Sequence, residues 1–153
     1  MRNRYWRRRN ESPPDARLRQ ARNDLAFAQL ARDNGFLAQS CYYASQAAEK
    51  GLKAALLELG VEPHHTHVLN DLVQRLGDNG MNIEQLKPLP LRGLSQMAIQ
   101  SRYPLDATPP SDLFDPVDAE QALATAADVL NILEAFDQQD CSSQPPNWSD
   151  WTA

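Results

Sequence analysis

One uninterrupted segment, residues 36–60, most constrains what this chain can fold into. It reads FLAQSCYYASQAAEKGLKAALLELG, holds no proline and is bounded by Gly35 and Gly60, residues of a type that commonly ends helices. At about 100° per residue, apolar side chains take most of its circumference, which predicts a helix packed on several sides at the centre of a bundle. Gly51 costs roughly 1 kcal/mol in a helix interior, so we expect a neighbouring helix to pack against it.

A narrower polar sector runs along the same segment. It comprises Gln39, Tyr42, Gln46, Glu49, Lys50 and Lys53. Glu49 precedes Lys53 by four residues, the order that favours an ion pair, so the sequence predicts a solvated pair on the outer face of the helix. The alternative interpretation places Glu49 and Lys53 in a polar cleft that binds a ligand. We expect Cys41 to pack as a small buried hydrophobe rather than to react.

Apolar periodicity predicts four further helices and no strand. They span about residues 12–34, 68–76, 91–102 and 116–138, and a proline-rich loop covers residues 105–114. The predicted fold class is therefore all-α, an up-and-down antiparallel helical bundle of four to five helices. The predicted organisation is a basic flexible leader (1–11), the bundle (12–138) and a disordered polar tail (139–153).

The net charge of −5 conceals an asymmetry between the ends of the chain. Residues 1–22 hold eight arginines against two acidic residues, whereas the rest of the chain holds 7 basic and 18 acidic side chains. The folded body is therefore acidic and should repel phosphate backbones, and only the leader RNRYWRRR should attract them. One interpretation is that this leader is a flexible amino-terminal segment that binds nothing. The other is an arm that holds RNA, with Tyr5 and Trp6 available for stacking.

The sequence contains no signal for a membrane or for secretion. No run of about 18 apolar residues occurs, and no apolar segment follows the basic amino terminus. Cys41 and Cys141 lie far apart in the sequence, and two reduced thiols are the simplest account of them. We therefore expect a cytoplasmic protein that does not contact a membrane.

Several motifs in a fixed order carry a family resemblance. They are RNDLAFAQLARDNG in the first helix, QAAEK at residues 46–50 with Lys53-Ala54, His67 at the head of a short helix, and Arg102-Tyr103-Pro104. Over about residues 17–138 this set resembles the HEPN domain, named for higher eukaryotes, prokaryotes and a proposed nucleotide-binding role. The resemblance implies a bundle that dimerises and is often encoded beside a small nucleotidyltransferase, as in toxin–antitoxin systems. In many branches the family acts as a metal-independent ribonuclease.

The catalytic motif of the ribonuclease members is incomplete here. Those members carry an arginine followed four to six residues later by histidine, which supply charge stabilisation and proton transfer. Arg102 is followed by YPLDATPPSDLF, so Asp106 occupies the four-residue position and no histidine occurs. A carboxylate needs a raised pKa to act as a base, and its charge repels phosphate. We therefore expect a non-catalytic module, with a ribonuclease of degenerate motif (candidates Arg102 and Asp106) as the alternative.

The candidate ligand-binding residues are Arg102, His67, Lys53 and Glu49. Arg102 either binds an anion in a cleft between protomers or has a structural role, capping helix carbonyls or pairing with Asp106. His64 and His65 share a loop with His67 and lack an obvious fourth ligand, so we expect no metal and no cofactor. The expected partners are a second copy of the chain, a nucleotidyltransferase, and a nucleotide or RNA.

Overall fold

The chain folds into helices joined by short loops. A computed structural model describes residues 12–104 and 106–143, with side chains described as far as Gln139. Within these residues there is no strand, which confirms the all-α prediction. The helices are α1 (Pro13–Asp33), α2 (Leu37–Glu58), α3 (Leu69–Asp78), α4 (Leu91–Gln100), α5 (Pro110–Leu113) and α6 (Pro116–Ser143). No helix in this part of the chain is both long and apolar enough to cross a membrane.

Helix α2 occupies the centre of the bundle, as its periodicity predicts. It contacts α1, α3, α4, α5 and α6, and most of its extent is enclosed by the other helices. The side chains of α2 that are fully buried are small or unbranched at Cβ, which allows its neighbours to approach closely. They are Ser40, Cys41, Ala44, Ser45, Ala47, Ala48, Leu52 and Leu56.

The ends of the helices follow from local side-chain chemistry. The Ser12 hydroxyl accepts a hydrogen bond from the Asp15 amide at 3.2 Å and so caps α1. Asp115 and Asp118 each accept the other's backbone N–H at 2.9 Å, which caps α6 reciprocally. Helix α6 continues to Ser143, past the predicted end at residue 138, because the first residue that cannot continue a helix is Pro145.

Two predicted segments lie wholly or partly outside the described residues. The leader (1–11) is one of them, and of the predicted tail only residues 139–143 are described. Those residues are helical, so the prediction of a tail beginning at residue 139 is wrong for them. Helix α5 was also not predicted, and it forms because Pro110 is tolerated in the first turn of a helix.

Helix α6 packs closely against α2 at Gly51. A Cβ atom at this position would overlap the Cδ2 atom of Leu130 and lie 3.3 Å from the Cδ1 atom of Leu133. Leu130 is fully buried, so it has little room to move aside. The expectation that a neighbouring helix packs against Gly51 is therefore confirmed.

We predict opposite effects of the same substitution at two helical glycines. Gly51→Ala should lower the free energy of unfolding by about 1–2 kcal/mol, because overpacking outweighs the gain in helix propensity. The matched control is Gly93→Ala in α4, where a Cβ would meet nothing within 4 Å. It should raise the free energy of unfolding by up to about 1 kcal/mol. Urea denaturation measures both, and equal stability of the two variants would contradict the prediction.

Candidate functional site

One face of α2 carries four polar side chains in a row. Tyr42, Gln46, Glu49 and Lys53 are spaced three or four residues apart, so they form a stripe along the helix, here called the polar stripe. The segment before α3 borders one end of the stripe, and the carboxyl end of α4 borders the other. The amide of Leu69 donates to the Ser95 hydroxyl at 3.1 Å, which ties the start of α3 to the middle of α4.

At one end of the polar stripe, a buried carboxylate binds two basic side chains. The Nζ atom of Lys53 donates to the Oε1 atom of Glu49 at 2.7 Å. The Nδ1 atom of His67 lies 3.0 Å from Oε1 and 3.2 Å from Oε2 of the same carboxylate. The side chains of Glu49 and Lys53 are 8% and 14% exposed, whereas that of His67 is 76% exposed.

The predicted Glu49–Lys53 ion pair therefore forms, but the prediction that solvent surrounds it is wrong, because both side chains are largely buried. Helical periodicity describes α2 alone and does not include the segment that follows it. That segment folds back and lays His67 on the Glu49 carboxylate. Because Nδ1 is engaged, His67 has only Nε2 left for a ligand, and its largely exposed ring is accessible from solvent.

At the other end of the polar stripe, the guanidinium of Arg102 lies against two aromatic rings. Its Cζ atom lies 5.3 Å from the ring centroid of Tyr42 and 5.4 Å from that of Tyr103, within the range of cation–π attraction. Its Nε atom donates to the carbonyl of Ala98 at 3.1 Å. This contact with a helix carbonyl is the one that the structural alternative for Arg102 predicts. Among the described residues, the Nη1 and Nη2 atoms of Arg102 form no hydrogen bond and no ion pair.

Asp106 is not a partner of Arg102. The two side chains form no ion pair, so the predicted pairing between them is wrong. Asp106 is exposed and adopts a φ of 57°, the left-handed conformation that aspartate tolerates better than most residues. As a candidate base, Asp106 therefore has no contact that would direct it toward a phosphate held by Arg102.

A run of rings extends from Arg102 across α2 to α1. The ring centroids of Tyr42 and Tyr43 are 5.2 Å apart, and those of Tyr43 and Phe27 are 4.7 Å apart, both with edge-to-face geometry. We call Phe27, Tyr43, Tyr42, Arg102 and Tyr103 the aromatic row. Sequence analysis missed it, and the only signal was the Tyr42-Tyr43 dipeptide beside the polar sector.

The two ends of the polar stripe are separate subsites. Tyr42 and Glu49 are seven residues apart, which is about 10.5 Å along a helix axis. Glu49, Lys53 and His67 therefore form one cluster, and Arg102 lies at the opposite end of the stripe.

The predicted absence of a metal site rested on the loop histidines. His64 and His65 are exposed. Among the described residues, no three His, Cys, Asp or Glu side chains are close enough to hold a metal ion.

A second buried carboxylate joins α1 to α2. Asp24 accepts a hydrogen bond from the Nε2 atom of Gln20 at 2.8 Å and forms an ion pair with Lys50. Asp24 is buried although it is charged, and its position between Ala21 and Leu25 in the apolar stripe of α1 was the available signal. Lys50 is thereby occupied by a structural contact rather than by a ligand.

Cys41 has no role as a nucleophile. It is fully buried, and burial together with the charges of Asp118 and Asp115 raises the pKa of its thiol to about 12. The thiolate is the reactive form of cysteine, so this side chain is inert in the folded protein. The expectation that Cys41 packs as a hydrophobe is confirmed.

Comparisons with known proteins give one family match and two similar solved structures. A family model described as HEPN domain matches residues 15–136. The solved structure of TT1696 from Thermus thermophilus is similar at 30% sequence identity and a TM-score of 0.75, covering 82% of this chain and 99% of that one. ST0689, an archaeal HEPN homologue, is similar in fold at 24% identity and a TM-score of 0.66, covering 82% and 98%. A search of curated proteins gave no match.

We predict that removing the buried Glu49 carboxylate destabilises the fold much more than removing its exposed partner His67 does. Glu49→Gln should lower the free energy of unfolding by about 3 kcal/mol, because it leaves the charge of Lys53 buried without a counter-charge. Adding Lys53→Met should restore part of the loss, since an apolar replacement removes the unpaired charge. Chemical denaturation measures these changes.

The matched control for that experiment is His67→Ala. His67 is mostly exposed and its bond to Glu49 is solvated, so its loss should cost less than about 1 kcal/mol. Equal losses for Glu49→Gln and His67→Ala would contradict the prediction.

Proposed function

The chain belongs to the HEPN domain family, and we propose that it is a non-catalytic binding module of that family, which holds RNA or a nucleotide by its phosphate groups at Arg102. The observation that carries the proposal is the guanidinium of Arg102. Its Cζ atom lies over the rings of Tyr42 and Tyr103, and its Nε atom donates to the carbonyl of Ala98. Its two terminal nitrogens have no partner among the described residues.

This arrangement suits a phosphate ligand. A guanidinium stays charged at any physiological pH and donates two parallel hydrogen bonds to a phosphate without proton transfer. The neighbouring tyrosine rings offer faces and edges on which a base can stack, and stacking contributes about 1–3 kcal/mol per base. Because the folded body is acidic, few other phosphate contacts are available, and we expect a shallow dependence of affinity on salt.

Within the part of the chain that the structure describes, no histidine or carboxylate forms a hydrogen bond or ion pair with Arg102, and this supports a role without catalysis. Asp106 does not contact Arg102, and His67 lies at the far end of the polar stripe. Loss of a positioned acid–base group typically costs about 10²–10⁴-fold in rate. The nucleotidyltransferase partner and the toxin–antitoxin context remain predictions from the family resemblance.

A second candidate function, metal-independent RNA cleavage, is favoured by the Glu49–His67 contact. A carboxylate that holds Nδ1 of a histidine fixes the ring and leaves Nε2 for proton transfer. Such a site also needs an arginine close to the same phosphate. In this function, Arg102 of a second protomer would have to supply it, because within one chain Arg102 contacts the polar stripe at Tyr42, seven residues from the Glu49 that binds His67.

We predict that Arg102→Ala weakens binding of single-stranded RNA by roughly 10–100-fold, the loss expected for a hydrogen bond to a charged group. The affinity of Arg102→Lys should lie between those of the wild type and Arg102→Ala, since lysine keeps the charge but lacks the planar guanidinium. The matched control is Arg92→Ala, an exposed arginine of α4. Fluorescence anisotropy with labelled RNA measures affinity, and thermal melting checks the fold. If Arg102→Ala unfolds the bundle, the arginine is structural and the proposal is wrong.

The same RNA, incubated with the protein and EDTA, separates the two candidate functions. We expect no cleavage by the wild type, because Arg102 has no histidine partner at the family spacing. Cleavage that is lost in Arg102→Ala, Asp106→Ala or His67→Ala would show that the protein is a ribonuclease.

We also propose that the protein is a homodimer. Large apolar side chains are exposed on α1 (Phe27 and Leu30) and at the end of α4 (Ile99, 60% exposed). Phe27 belongs to the aromatic row, and the carbonyl of Ile99 accepts the backbone N–H of Arg102. An interface that covers these side chains would place Arg102 at its edge, in a cleft between two protomers.

Multi-angle light scattering should therefore give the mass of a dimer at tens of micromolar protein. Ile99→Glu should give a monomer, because it buries an unpaired charge in the interface. Val117→Glu introduces the same charge at an equally exposed apolar residue of α6 and should leave the dimer intact. A monomeric wild type, or a dimer that survives Ile99→Glu, would contradict this proposal.

A further inference from the structure

A cavity of about 190 Å³ opens at the end of the bundle where α1 begins and α2 ends. Its walls are largely apolar, and they come from α1, α2, α6 and the loop that follows α3. The principal apolar lining residues are Leu18, Ala55, Met81, Leu133 and Phe136. An apolar cavity of about 150 Å³ is enough to admit a benzene ring, so this one accommodates an aromatic side chain.

Three carboxylates line the same cavity, one from each of the long helices. They are Asp15 of α1, Glu58 of α2 and Asp137 of α6. Asp15 accepts a hydrogen bond from the Ser12 hydroxyl at 2.6 Å, and neither Glu58 nor Asp137 has a cationic partner among the described residues. Burial and the negative charges of Asp137 and Asp15 raise the pKa of Glu58 above its usual value. Positive charge placed here would therefore be stabilising.

The first described residues of the chain lie at this cavity. Ser12 caps α1, and Pro14 and Asp15 line the cavity wall. Residues 1–11, which lie outside the described residues, contain five arginines, Tyr5, Trp6 and a single acid. Trp6 is six residues from Ser12, and an extended chain of that length spans up to about 20 Å.

We propose that this cavity binds the chain's own segment 1–11, with the ring of Trp6 in the apolar interior. Arginines on either side of Trp6 then pair with Glu58 and Asp137. Shape and charge both favour this occupant, because it combines a large aromatic side chain with flanking positive charge. The segment 144–153 also carries tryptophans, but it holds Asp150 and no basic residue. Its charge therefore has the same sign as that of the cavity, which disfavours it as the occupant.

This contact has a consequence for the leader as a binding arm. Arginines that pair with Glu58 and Asp137 are not available to phosphate groups, so RNA must displace the segment before the leader can contribute to binding. The docking itself does not rest on the proposed function. It can be tested without any ligand.

The test uses the full chain with Trp148→Phe and Trp151→Phe, which leaves Trp6 as the single tryptophan. We expect its fluorescence to be blue-shifted and its quenching by acrylamide to be several-fold weaker than in a peptide of residues 1–11. Glu58→Gln with Asp137→Asn should abolish the difference from the peptide, because the pairing charges are gone. The matched control, Glu62→Gln with Asp128→Asn, removes two exposed acids outside the cavity and should leave Trp6 protected.

A second variant tests the apolar part of the site separately. Ala55→Leu adds bulk to the cavity wall and should expose Trp6 while every charge is kept. Thermal melting confirms that each variant is folded. The proposal is overturned if acrylamide quenches Trp6 in the parent protein as strongly as it quenches Trp6 in the free peptide. It is also overturned if Trp6 stays protected both in Glu58→Gln with Asp137→Asn and in Ala55→Leu. Protection of Trp148 or Trp151 instead, in chains that keep only one of them, would assign the cavity to the other end of the chain.

Discussion

The close contact between α2 and α6 at Gly51 is the constraint on which the rest of this structure depends. Without a side chain there, Leu130 fills the space against the α2 backbone and brings α6 near the bundle axis. Gly51 lies about 200° around the helix from Glu49, so tight packing on one face leaves the opposite face to the polar stripe. The same helix can therefore serve as the core and as the floor of the candidate site.

Two buried carboxylates, Asp24 and Glu49, fix which surfaces meet. Asp24 with Lys50 joins α1 to α2, and Glu49 with Lys53 and His67 joins α2 to the segment before α3. Buried pairs of this kind add little net stability, because desolvation offsets most of the Coulomb attraction. A wrong packing arrangement would leave a charge buried without a partner, which costs far more. We therefore regard these pairs as determinants of register rather than as a source of stability.

The sequence was sufficient for features that depend on one helix at a time. The central position of α2 and the burial of Cys41 both follow from local periodicity and composition. It was insufficient where distant segments meet, because periodicity does not report what covers a helix face. This is why the burial of Glu49, the aromatic partners of Arg102 and the charged contact of Asp24 were not foreseen. Pro145 and the absence of earlier breakers could have placed the end of α6 correctly.

The distance between the two ends of the polar stripe has a consequence for ligand size. Arg102 contacts the stripe at Tyr42, and His67 contacts it two helical turns away at Glu49. A rigid helix sets this separation at about 10.5 Å, which the protein cannot shorten without breaking backbone hydrogen bonds. Under the proposed function, a single phosphate would engage only one end at a time. A strand of several nucleotides would be long enough to engage both ends, so selection by ligand length would precede any recognition of bases.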